Sequence, residues 1–117
     1  SRRMTPMTKF LPRGLAAALL LLASPAAMAA DLAAGKEKAA MCATCHGLDG
    51  VATAPDAPNI AGDSAFYLAE QLKAFRSGAR QHQQMSIIAQ GLEDDDIADL
   101  AAWYAAIEVT ATMPEVD

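Results

Sequence analysis

Cys42, Ala43, Thr44, Cys45 and His46 form a Cys-x-x-Cys-His run, and the chain has no other cysteine. The two thiols lie three residues apart, so a helical turn projects both from one face, where they can reach two vinyl groups of one porphyrin. His46 follows Cys42 by four residues and shares that face, which lets its imidazole bind the iron. The spacing is the attachment signal for a c-type haem. Three other chemistries compete for these residues. A structural zinc site takes four protein ligands, but the sequence holds two cysteines and two histidines, and His82 lies outside finger spacing. A thioredoxin-like pair should open a helix after a strand, whereas the alanine-rich flank Lys36 to Met41 reads as helix. A plain disulfide leaves His46 without a role.

The segment that precedes the motif has its own logic. Lys9 and Arg13 lead into an apolar run from Leu15 to Ala23, then Ser24-Pro25 and Ala27-Met28-Ala29. This order reads as a secretory signal over residues 1–29, removed before Ala30 or Asp31, with an uncleaved anchor as the alternative. A bilayer span takes roughly 20 apolar residues, and Pro12 and Pro25 bracket a shorter run. The domain proper is then residues 30–117. Removing residues 1–29 takes away Arg2, Arg3, Lys9 and Arg13 and no carboxylate, so the formal charge falls from −5 to −9. Such an acidic domain disfavours a nucleic-acid partner, since phosphate binding needs a basic face. It is also small enough to need a staple for its core, and a covalently held porphyrin would be one.

The elements that must position the motif read as helices. Strand-like alternation is absent and alanine is abundant. The first helix is expected from about Leu32 to Met41, capped by Asp31. A second follows Ser64, carries Leu68, Leu72 and Phe75 on one face, and ends before Gly78. A third starts near Asp94 to Asp96 and aligns Ile97, Leu100, Ala101, Tyr104 and Ile107. Two loops lie between them, Gly47 to Gly62 and Gly78 to Gln84, the latter leading to Met85. A low-spin electron-carrying haem needs a sixth ligand, commonly a methionine thioether. Met4, Met7 and Met28 fall in the leader, Met41 abuts Cys42, and Met113 sits in the polar tail. Met85, expected in a loop, is the ligand this leaves, with His82 as competitor.

With these pieces in hand, the chain resembles the class I c-type cytochromes, above all short bacterial single-haem forms that also look like halves of di-haem cytochromes. The likeness runs from Asp31 to Ile107. It rests on Gly35, Cys42 to Gly47, Pro58-Asn59-Ile60-Ala61-Gly62, Tyr67 to Leu72, Phe75 to Arg80, Met85-Ser86 and Asp96 to Tyr104. The resemblance implies an all-α small cytochrome c fold, with three main helices and loops wrapped around one haem c. Cys42 and Cys45 would form the thioethers, and His46 and Met85 the axial bonds. Pro58 would offer its backbone carbonyl to the His46 imidazole, and Arg80 a cation near the propionates. Gly35 would let the first and last helices cross closely beneath Trp103.

The function this implies is a periplasmic one-electron carrier between redox protein partners, monomeric or weakly oligomeric. It would not be an enzyme and would have no small-molecule substrate, because both axial positions would be filled. The alternative is a haem subunit of a larger dehydrogenase or oxidase complex. Lys73, Arg76 and Arg80 cluster around the second helix and its exit, against carboxylates at Glu93 to Asp99. Such a split would orient the molecule on a partner, unless the cations merely balance nearby carboxylates.

Overall fold

A computed structural model describes residues 2–9 and 29–117. The apolar run and processing motif of the expected leader fall largely outside the described residues. Among the described residues there is no strand, and no helix is long and apolar enough to cross a membrane.

Helix α1, Leu32–Lys38, starts where Asp31 Oδ1 accepts from the Ala33 and Ala34 amides at 2.9 and 3.1 Å, and a 3-10 turn, Ala39–Met41, continues it. The short α2, Ala43–His46, carries the rest of the cysteine motif. Helix α3, Ala65–Ser77, begins at the Ser64 cap, whose hydroxyl accepts from the Tyr67 amide at 3.0 Å. It ends at Gly78, whose φ of 85° is a left-handed conformation that glycine adopts freely. Helix α5, Asp94–Ala105, opens with three aspartates at the positive end of its dipole. Asp96 reaches back to accept the Glu93 amide at 2.9 Å, which offsets the weak cap that glutamate provides.

One helix departs from expectation. Residues Gln83–Gln90 form α4, so Met85 stands in the first turn of a helix and not in a loop. The cap is His82, an uncommon choice for that position. The apolar spacing of Met85, Ile88 and Leu92 was present in the sequence, but the usual start signal was not.

Helices α1 and α5 cross at Gly35. A Cβ there would collide with the Asp99 carbonyl oxygen and approach the Trp103 Cβ to 3.0 Å, so only glycine fits. Lys38 ties the same crossing, 2.7 Å from Asp99 and 3.0 Å from Asp96, while the Asp31 amide donates to Asp99 at 2.9 Å. Helix α3 packs on both α4 and α5. Ala39, Leu68, Leu92, Ile97, Leu100, Ala101 and Tyr104 form the buried cluster between them. Among the described residues, Ile97 is the one large side chain that is almost wholly enclosed, at 1% exposure. Leu68, Leu92, Leu100, Ala101 and Tyr104 of this cluster also line a cavity.

Candidate haem site

The cavity encloses about 620 Å³, within the range of roughly 300–1,000 Å³ typical of ligand and cofactor pockets. Its wall brings together the six residues expected to hold the haem: Cys42, Cys45, His46, Pro58, Arg80 and Met85. Leu68, Leu72 and Phe75, the stripe along α3, also line it, as do Leu100, Ala101 and Tyr104 from α5. Core-facing spacing on a helix looks the same whether the face meets side chains or a cofactor, so the sequence could not separate the two. Tyr67 and Gln71 are lining residues that the sequence reading gave no role.

The cysteine motif is held rigidly from outside. Backbone amides of Thr53 and Ala54 donate to the Cys45 carbonyl at 2.9 and 3.2 Å, and the Thr53 hydroxyl donates to Thr44 at 2.9 Å. The loop continues inward where the Asn59 side-chain oxygen accepts the Ala52 amide at 2.7 Å. Helix α5 clamps the exit of the motif: Trp103 Nε1 donates to the Leu48 carbonyl and the Tyr104 hydroxyl to Gly47, each at 3.0 Å. Burial pushes the Tyr104 phenol well above its ordinary pKa, so it stays a donor.

Against this frame His46 Nδ1 lies 2.9 Å from the Pro58 carbonyl oxygen. A carbonyl only accepts, so Nδ1 carries a proton, and in the neutral ring the lone pair is then on Nε2. That is the state a metal-binding imidazole requires, with its orientation fixed by the outer partner. Cys42 and Cys45 are not bonded to each other. Burial raises the Cys42 thiol pKa, which lowers the fraction of thiolate available for disulfide exchange. Two thiols, an imidazole with a free lone pair, a largely apolar wall and a methionine on the same cavity fit a c-type haem. Among the described residues, no three His, Cys, Asp or Glu side chains converge as a cluster able to hold a bare metal ion.

The three cations separate by role. Arg80 lines the cavity, donating to Gln71 Oε1 at 2.8 Å while its guanidinium stacks 4.6 Å from the centre of the Phe75 ring. Arg76 lies outside the cavity wall and is spent on structure. It donates to the Leu92 carbonyl at 3.0 Å and pairs with Asp94 at 2.6 Å, which holds that carboxyl below its usual range. Lys73 faces Glu70 at 3.4 Å in an exposed pair. Arg76 and Lys73 thus pair with nearby carboxylates, as the charge-balance alternative to a docking patch expects.

Comparison with known proteins gives this geometry its context. The Cytochrome c family pattern matches residues 32–106. Cytochrome c-554(548) of Halomonas halodenitrificans is 48% identical over 83 residues, covering 68% of this chain and 100% of that protein. A thiosulfate dehydrogenase electron acceptor of Stutzerimonas stutzeri is 42% identical over 100 residues, covering 80% of this chain and 46% of that protein. The crystal structure of reduced recombinant cytochrome c4 from Pseudomonas stutzeri superposes with a TM-score of 0.63 at 34% identity, covering 68% of this chain and 47% of that one. The chain thus spans the full length of the first relative and about half of the other two.

Proposed function

The chain belongs to the cytochrome c family, whose haem is covalently bound, and from that premise we propose that it is a single-haem carrier of one electron between redox proteins. When bound, the haem supplies a one-electron Fe(III)/Fe(II) couple. The observation that carries the reading is the His46 Nδ1 to Pro58 contact at 2.9 Å, because it presents a lone pair from a ring that cannot swing. Cys42 and Cys45 would anchor the porphyrin on the same wall. Met85 would occupy the remaining axial position and so deny small molecules access to the iron. Arg80, held by Gln71 and Phe75, would neutralise a propionate at the cavity rim. The leader over residues 1–29 places the mature domain in the periplasm, and the acidic charge left after its removal keeps that domain soluble and away from nucleic acid.

A second reading makes the same domain the haem subunit of a larger dehydrogenase or oxidase complex. It draws on the relative named as an electron acceptor for thiosulfate dehydrogenase. Both readings place the redox chemistry of the partner outside this chain.

The test is an optical redox titration of the purified protein, with carbon monoxide added to the reduced form. A carrier gives a single one-electron transition and an unchanged reduced spectrum under carbon monoxide. A spectrum that shifts under carbon monoxide would mean an open iron and defeat the carrier reading. In Met85→Ala the shift should appear while the haem stays attached.

A further inference from the structure

His82 is the histidine that the proposed carrier leaves unused, yet it lines the same cavity as His46 and Met85. Its Nδ1 lies 3.2 Å from both the Gln84 and the Met85 amide nitrogens, at the start of α4. Amides only donate, so Nδ1 is an acceptor without a proton, and the neutral ring carries its proton on Nε2. Two further contacts hold the residue: the Ser86 hydroxyl oxygen accepts the His82 amide at 3.0 Å, and the Phe75 ring meets the imidazole edge-on at 6.5 Å. His46 shows the opposite arrangement, with the proton on Nδ1 and the lone pair on Nε2.

A nitrogen that binds iron must offer a lone pair. The capping bonds of His82 consume the lone pair on Nδ1 and leave Nε2 protonated. We propose that His82 is a positioning residue that selects Met85 as the sixth ligand. It caps the turn that carries Met85, and the same two bonds hold its own ring in the tautomer that cannot compete for the iron. The proposal rests on the reading of Met85 as an axial ligand.

Capping and ligation can be separated by substitution. Asparagine supplies a side-chain oxygen acceptor at an N-cap, whereas alanine supplies none. The experiment uses the full-length, haem-loaded protein and follows the methionine-to-iron(III) charge-transfer band with temperature, with amide hydrogen exchange measured in parallel. In His82→Ala the population with methionine detached should rise about 2- to 30-fold, the span expected for a lost helix cap. Exchange at the Gln84 and Met85 amides should quicken by a similar factor. His82→Asn should return both to within about 2-fold of the parent, since asparagine is among the preferred caps. An alanine variant indistinguishable from the parent, or an asparagine variant as loose as alanine, would overturn the proposal. Should His82→Ala fail to mature, the asparagine variant and the exchange of the parent protein decide, and unprotected Gln84 and Met85 amides in the parent would overturn it. If the parent lacks the methionine band altogether, the assignment of Met85 fails and the proposal with it. If the band is present but indifferent to His82, only the role of His82 fails.

Discussion

The two segments that meet at the cavity are built in opposite ways. The cysteine segment is fixed by bonds to distant parts of the chain: His46 to Pro58, Leu48 to Trp103 and Gly47 to Tyr104, the last two across more than fifty residues. The methionine segment is capped by bonds within four residues, from His82 to Gln84, Met85 and Ser86. Its longer-range ties in this region are Gln90 to the Arg76 carbonyl and Arg76 to Leu92. In their hydrogen bonds, one ligand segment is tied to distant parts of the chain and the other mainly to its own first turn, while α4 as a whole also packs on α3. Local opening is drawn from regions with few long-range contacts, so α4 should open before α2.

The largest test of that contrast removes the covalent anchor. Cys42→Ala combined with Cys45→Ala should abolish haem attachment and leave most of the helix signal lost in circular dichroism, because the inner faces of α3 and α5 border a cavity that the porphyrin would fill. A stably helical haem-free variant would show that the porphyrin does not complete the core. Next in size is the α1–α5 crossing. Gly35→Ala should cost at least about 1–3 kcal/mol through overpacking against the Asp99 backbone, read as a lowered denaturation midpoint. A neutral result would mean that the helices can separate without loss. Tyr104→Phe should cost about 0.5–1.5 kcal/mol, the net worth of a typical hydrogen bond, and should loosen the cysteine segment more than α4 in hydrogen exchange. Equal loosening of both would erase the contrast.

Acid should act through the same crossing. Lys38 and the Asp31 amide hold the Asp99 carboxyl below its ordinary range, while the Glu93 amide and Lys38 hold Asp96 down. Carboxyls lowered in the folded state contribute stability that is fully present above the unfolded value of about 3.9 and is lost as pH falls through the folded values. Lys38 is raised by the same pair, so its contribution holds below about pH 10.4 and fades above its folded value. Thermal unfolding should thus be insensitive to these groups in the neutral range and weaken below about pH 4. Asp99→Asn should flatten that acid slope, and an unchanged slope would remove Asp99 from it. The smallest effect belongs to Lys73→Ala, expected within about 0.5 kcal/mol of the parent because its ion pair is exposed.

How much of this was legible before the structure depends on where each signal lives. The cysteine motif is a local spacing, and α1, α3 and α5 announce themselves through Asp31, Ser64, Gly78 and the aspartates after Glu93. Helix α4 did not, because histidine is a poor advertisement for a helix start even when its ring accepts two amides. The role of Arg76 was hidden for a different reason: its partners, Leu92 and Asp94, become neighbours only when α3 packs beside the start of α5. Leu68, Leu72 and Phe75 were legible as an inward face but not as the wall of a cavity. The Gly35 crossing and the Pro58 contact came from family resemblance, since a lone glycine or loop proline carries no such message.

The two histidines are held in opposite tautomers, one free to bind iron and the other withdrawn from it. The direct measurement is a nitrogen–proton correlation spectrum of the imidazoles in the reduced, diamagnetic haem protein. The prediction is a proton on Nδ1 of His46 with Nε2 bound to iron, and a bare Nδ1 with a protonated Nε2 on His82. A His82 ring protonated at Nδ1, or bound to iron through Nε2, would contradict it.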